Sequence, residues 1–281
     1  MKRVIFFLFI WIFILAPLGH CQKKAKTAPA IPPMPEDARK PTKPSVLPEI
    51  IKDGVKKDYY PSGALRSEIN YKDGVEEGAF KHYWENGKVK SEGTFKGGKV
   101  DGPIKMYYPE GNIAKIEPYQ NDRVSGIAKT YYPDGTLKEE ADYKDGVLDG
   151  IGRDYYPDGT LSKEWNYKKG KREGTYKVYY DTGELKTVMT YNNDLEQGPF
   201  TSYHKDGSVY TQGTFKDGKR EGVVKVYNTD GDLEAEISFA NNQRDGKSKY
   251  FAQNKLVREI TYREGQEIAR KEYTGDEASP Q

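Results

Sequence analysis

From residue 54 onward, apolar and polar residues alternate with period two in short runs broken by glycine, and the pattern restarts every 24 residues. Gly54, Gly78, Gly102, Gly126, Gly150, Gly174, Gly198, Gly222 and Gly246 mark the restarts. A fixed period in this range signals a repeat architecture, in which each unit contacts mainly its neighbours and none buries a core alone. Runs this short, bounded by glycine, exclude helices and predict two antiparallel strands per repeat.

The fourth copy, residues 126–149, shows the layout. Tyr132-Pro133-Asp134-Gly135 suits a type I turn followed by a glycine at positive φ, which makes a three-residue hairpin loop with a bulge. The second turn, Lys144-Asp145-Gly146, ends elsewhere in Gly74, Gly98, Asp122, Gly170, Asp194, Gly218, Asn242 and Gly265, the residues that best tolerate the left-handed region. If this turn is also a three-residue loop, Tyr131 faces Leu137, Tyr143 faces Val147, and Tyr131, Leu137 and Tyr143 share one face, with Lys138, Glu140 and Asp142 on the other. Three apolar ladders would then run along one side of the sheet. The second tyrosine of each pair is less constant, becoming Trp84, His204, Asn228 and Ala252. The ninth copy lacks the Pro-Asp-Gly turn and is one residue short near Asn254, as capping repeats often are. The expected fold is all-β: an elongated, open antiparallel β-meander of nine 24-residue two-stranded repeats over residues 54–268. About eighteen strands at about 4.8 Å each would extend roughly 85 Å.

The segments outside the repeats read differently. Residues 1–20 carry Lys2 and Arg3 and then an apolar run from Val4 to Leu18, the layout of a secretory signal and short for a bilayer span. Residues 21–50 are a proline-rich linker, extended in polyproline II, which could reach roughly 90 Å at about 3.1 Å per residue. Residues 269–281 read as a polar tail. The formal charge of +2 comes from the amino-terminal segment, so the repeats present no net field toward nucleic acid. Cys21 is the single cysteine, which excludes intramolecular disulfides.

Two resemblances follow from these residues. Leu18-Gly19-His20-Cys21 resembles the lipobox of bacterial lipoproteins, which implies lipid attachment at Cys21 and a membrane-anchored protein facing the periplasm or cell surface. The recurring Gly-x-x-Lys-x-Tyr-Tyr, Pro-Asp-Gly-x-Leu and Tyr-Lys-Asp-Gly resemble the MORN repeat family, in the bacterial variant found in YwqK-type antitoxins. That resemblance implies an elongated β-scaffold that binds proteins or membrane lipids, and the antitoxin variant implies a protein toxin as partner.

The residues suggest no catalytic site. No two histidines stand at metal-ligand spacing, so neither a metal nor a cofactor is expected. His82 and His204 occupy repeat positions that vary. Glu68, Glu92, Glu140, Glu164 and Glu236 recur beside lysines as a solvated, charge-paired strand face would. The candidate binding face consists of Tyr83, Tyr107, Tyr131, Tyr155, Tyr179, Tyr203 and Tyr227 with Lys81, Lys105, Lys129, Arg153 and Lys177, two residues before the tyrosines and so on their side. The expected function is a non-enzymatic, exported, lipid-anchored scaffold that binds another envelope protein through this face. A cell-wall glycan-binding module and a toxin-neutralising immunity protein are the alternatives.

Overall fold

A computed structural model describes residues 52–273. The signal, Cys21, the linker and residues 274–281 lie outside the described residues. Twenty-five antiparallel strands form a single sheet. Gly54–Tyr59 pairs on one side only and Gln266–Glu272 likewise, so the sheet is open, and the expected all-β meander is the fold that forms. Six two-residue strands and the final strand raise the count above eighteen. Residues 269–272, expected as tail, belong to that final strand. All of its residues are exposed, which is why its composition reads as tail rather than strand.

The Pro-Asp-Gly turn is the three-residue loop that its residues predict. The Tyr132 N–H donates to the Thr136 carbonyl at 2.8 Å and the Gly135 N–H to the Tyr132 carbonyl at 2.9 Å, with Gly135 at φ 94°. Asp134 Oδ1 accepts the Thr136 N–H at 2.9 Å, which accounts for aspartate there.

The second turn is different. Lys144 pairs with Val147 and Tyr143 with Leu148, leaving Asp145 (φ 53°) and Gly146 (φ 83°) as a two-residue loop. Positive φ at both central residues is the type I′ geometry, whose twist matches that of the flanking strands. In the ninth copy the missing residue converts the other loop to the same kind: Gln253 (φ 50°) and Asn254 (φ 59°) sit between the paired Ala252 and Lys255.

A bulge overturns the predicted face assignment. Tyr131 pairs with Leu137, but Thr130 pairs with Glu139, so Lys138 is the extra residue on its strand. One extra residue reverses the inward–outward alternation beyond it. Lys129 therefore pairs with Glu140, and Tyr143 pairs with Gly126 on the opposite face from Tyr131 and Leu137. The three ladders do not share a side: the first tyrosine and leucine rows lie on one face with Glu140, and the Tyr143 row lies on the other.

That other face holds the core. Phe80, Ile104, Ala128, Phe200 and Val224 are buried along one row, with Ala141, Ile237 and Ile260 opposite and Tyr191, Phe215, Phe239 and Tyr262 beside them. Size is matched across strands. Phe80 lies over Gly93 and Phe200 over Gly213, where an added Cβ would meet ring carbons at 2.8 and 2.7 Å, while Trp165 covers Gly152. Large rings thus alternate with empty positions, which lets a single layer bury aromatic surface.

Successive hairpins are tied by the second ring of each tyrosine pair. The hydroxyls of Tyr60, Tyr108, Tyr132, Tyr156 and Tyr180 donate to the carbonyls of Tyr83, Tyr131, Tyr155, Tyr179 and Tyr203 at 2.7–2.9 Å. Trp84 Nε1 donates to the Tyr107 carbonyl at 3.3 Å, and His204 Nε2 lies 3.1 Å from that of Tyr227. At Trp84 and His204 the variation that looked loose in sequence therefore keeps one property, a ring nitrogen at reach, while Asn228 and Ala252 do not keep it. Net hydrogen bonds of this kind are worth about 0.5–1.5 kcal/mol. Tyr132→Phe should lower the unfolding free energy by about that amount in urea titration; an unchanged midpoint would show that the tie carries no energy.

Candidate functional site

The face opposite the core carries the residues singled out for binding. Lys129 and Tyr131 are two apart on one strand and point the same way, and the register repeats this for Lys81 and Tyr83, Lys105 and Tyr107, Arg153 and Tyr155, and Lys177 and Tyr179. Tyr203 and Tyr227 continue the row beside Thr201 and Lys225. The structure brings the predicted set together on one surface.

It also places the glutamate row there, because of the bulge. Each carboxylate lies between two cations: Glu140 is 3.8 Å from Lys129 and 3.1 Å from Arg153, and Glu164 is 2.9 Å from Arg153 and 3.4 Å from Lys177. Lys57–Glu68, Lys81–Glu92 and Lys225–Glu236 follow at 2.8, 3.5 and 3.9 Å. Lys105 pairs in register with Glu92 and Ile116. Three of the tyrosines join this ladder. Tyr83, Tyr107 and Tyr155 donate to Glu68, Glu92 and Glu140 at 2.7, 2.7 and 3.0 Å. Burial and then the bond to Glu92 push the Tyr107 hydroxyl up to about 12, and the same bond draws Glu92 below its usual range. Ile116, Val188 and Gln212 interrupt the row. The lysines are thus largely neutralised within the face, each exposed pair being worth at most about 1 kcal/mol.

A row that sequence reasoning missed runs alongside. Val55, Ile127, Ile151 and Val223 stand at one repeat position on the same face and are 46–54% exposed. They are interspersed with Ala79, Pro103, Thr175 and Pro199 at the same repeat position, so no strong pattern announced them. Exposed aliphatics beside a neutral ladder suit contact with another macromolecule. At the amino-terminal end the face dips into a hollow of about 200 Å³ lined by Val55, Lys57, Glu68, Asn70, Ala79 and Lys81. Small-molecule sites enclose roughly 300–1,000 Å³, so this is surface relief rather than a pocket of that kind. His82 and His204 do not join the candidate face. His82 pairs with Ser67, and its ring lies tilted with its centre 5.5 Å from that of Phe80 on the core side, where burial pushes its imidazole down, and His204 serves the inter-repeat tie.

The repeating hairpin, the two turn types and the paired aromatic rows define a repeat scaffold, and comparison with known proteins places it. The model of the MORN repeat variant matches residues 52–73, 76–96, 100–121, 125–145, 148–169, 172–193, 196–217 and 220–241, and the chain belongs to this family. The ninth copy, beyond the matched residues, continues the same pairing. No curated protein matches. Among solved structures, a TcdB2-TccC3-Cdc42 crystal structure is similar at 15% identity over 78% of this chain and 16% of that chain, with a TM-score of 0.19. The Photorhabdus luminescens Tc holotoxin pore is similar at 15% identity over 78% of this chain and 15% of that one, with a TM-score of 0.17. The chain spans about a sixth of those chains, and likeness at this level carries no argument.

A pair of carboxyls with raised protonation ranges sits on the core side. Glu139 and Asp154 are cross-strand partners, with Lys163 3.4 Å from Asp154. Burial first, then the like charge of Asp154, holds the Glu139 carboxyl above its usual range, and burial raises Asp154 against the pull of Lys163. Carboxyls raised in the folded state stabilise it when protonated, and that contribution is lost as pH rises through the raised values. Glu139→Gln should therefore raise the urea midpoint at pH 7, with the gain shrinking toward pH ~4. A gain that grew on acidification would contradict this placement.

Proposed function

We propose that this protein is an exported, lipid-anchored MORN-repeat scaffold that docks another envelope protein through its tyrosine and lysine face and carries out no chemistry of its own. The observation that carries this reading is the exposed row of Val55, Ile127, Ile151 and Val223 beside the tyrosines, on a face whose charges answer one another. Such a surface recognises its partner by apolar contact and ring edges, with charge setting register rather than attraction. The lysine row thus favours a protein over a polyanion: its cations already have carboxylate neighbours. Export and anchoring rest on the apolar leader and Cys21, which would hold the scaffold at a membrane while the proline-rich linker gives it reach.

The test is affinity capture from envelope extracts with the full chain, followed by affinity measurement on the recovered partner. Ile127→Ser with Ile151→Ser, or Tyr131, Tyr155 and Tyr179 replaced by alanine, should weaken binding at least about tenfold. Raising salt should change it little. Capture unaffected by both sets would reject the face, and recovery of wall glycan instead of protein would transfer the reading to a glycan-binding module. Mass spectrometry of the mature amino terminus checks the anchor: an acylated Cys21 is expected, and cleavage elsewhere would contradict it.

A further inference from the structure

On the core side, along the margin of the type I′ turns, three arginines occupy one repeat position and each stacks on an aromatic ring of the following repeat. Arg172 lies 4.2 Å from the Tyr191 ring centre, Arg220 4.6 Å from Phe239 and Arg244 5.3 Å from Tyr262. Their charges are answered differently. Asp194, in the next type I′ turn, accepts the Arg172 backbone N–H at 2.9 Å, faces its Nε at 3.4 Å, and offers its carbonyl to Nη2 at 3.0 Å. Arg172 is self-contained.

Two repeats on, the same turn position is Asn242. Its Oδ1 accepts the Arg220 backbone N–H at 2.6 Å, but it brings no negative charge. At Arg244 the corresponding residue is Gly265, with no side chain at all, and Arg244 Nη1 donates to the neutral Tyr262 hydroxyl at 3.1 Å. Among the described residues neither guanidinium has an ion pair. Arg220 is nonetheless only 8% exposed. Phe239 stands between the two, paired in register with Arg244 and stacked by Arg220. Burial and the like charge of Arg244 both press the Arg220 guanidinium below the usual arginine range. A buried guanidinium beside a second cation is unfavourable unless an anion completes it. A repeat two copies away shows how this fold completes it with a carboxylate.

We propose that Arg220 and Arg244 form a site for a compact oxyanion, a carboxylate or phosphate group, seated beside Arg244 where Gly265 leaves open the place that Asp194 fills for Arg172. The planar donor forks of arginine suit both groups. The site lies on the face opposite the tyrosine and lysine rows and stands independently of the partner proposed there. The contrary possibility is that ring stacking alone holds the arginines as staples between repeats.

Thermal unfolding of the full chain, at constant ionic strength in chloride, acetate or inorganic phosphate, separates the two. Acetate or phosphate should raise the midpoint saturably by roughly 2–4 °C over chloride, and the more effective anion names the source. Asn242→Asp restores the built-in carboxylate, so it should raise the midpoint in chloride and abolish the anion increment. Arg220→Met should abolish the increment as well, while Arg172→Met leaves it intact. An increment of equal size in the parent, Asn242→Asp and Arg220→Met proteins, or no increment in the parent, would overturn the site.

Discussion

The single unpaired residue in each second strand, Lys138 in the fourth copy, governs the architecture. Because side chains alternate strictly along a strand, one extra residue opposite Tyr131 exchanges the faces of everything that follows in that strand. It sends Tyr143 and Ala141 to the buried side and brings Glu140 up beside Lys129 and Tyr155. The core, the charge ladder and the exposed aliphatic row all follow from that one exchange, repeated at constant intervals. Without it, apolar rows would crowd one face and glutamates would lie apart from the lysines that neutralise them.

A sheet one layer thick has to compensate for its shallow interior, and this one does so between repeats. Rings fill the space above glycines on the neighbouring strand, as Phe200 does over Gly213. Ring donors from one hairpin hold carbonyls of the next, and turn residues such as Asp122 and Asp194 accept N–H groups one repeat back. These are nearest-neighbour ties, so stability accumulates along the array as a sum of local interfaces. The tie is missing at Asn228 and Ala252, where the side chains are too short; in those repeats Arg220 and Arg244 each lie over one aromatic ring of the following repeat.

The period, the open antiparallel sheet and the Pro-Asp-Gly loop were legible in the sequence because glycine, proline and aspartate each answer a specific backbone demand. The type I′ turn was half legible. Its last residue announces positive φ, yet Asp, Asn or Gly also stands one residue earlier at 73, 97, 121, 145, 193, 217 and 241, and that second signal marks a two-residue loop. The bulge was not legible, since residue 138 is variously Arg66, Lys90, Ala114 or Ser162 in its counterparts and nothing in those side chains marks a skipped pairing. For the candidate site, spacing correctly joined tyrosines to lysines. It missed the glutamates and the row of Ile127 and Ile151, because both depend on parity across the bulge rather than on distance along one strand.

A surface scaffold of this kind acts by where its side chains point, so the face assignment underlies every functional statement made of it. Disulfide trapping tests it most directly, in a chain carrying Cys21→Ser. Lys129→Cys with Glu140→Cys should oxidise to a cross-strand disulfide, since those two residues are register partners. Lys129→Cys with Glu139→Cys, the pair that an uninterrupted strand would bring together, should stay reduced. The opposite outcome would remove the bulge, return Tyr131, Leu137 and Tyr143 to one face, and contradict the account.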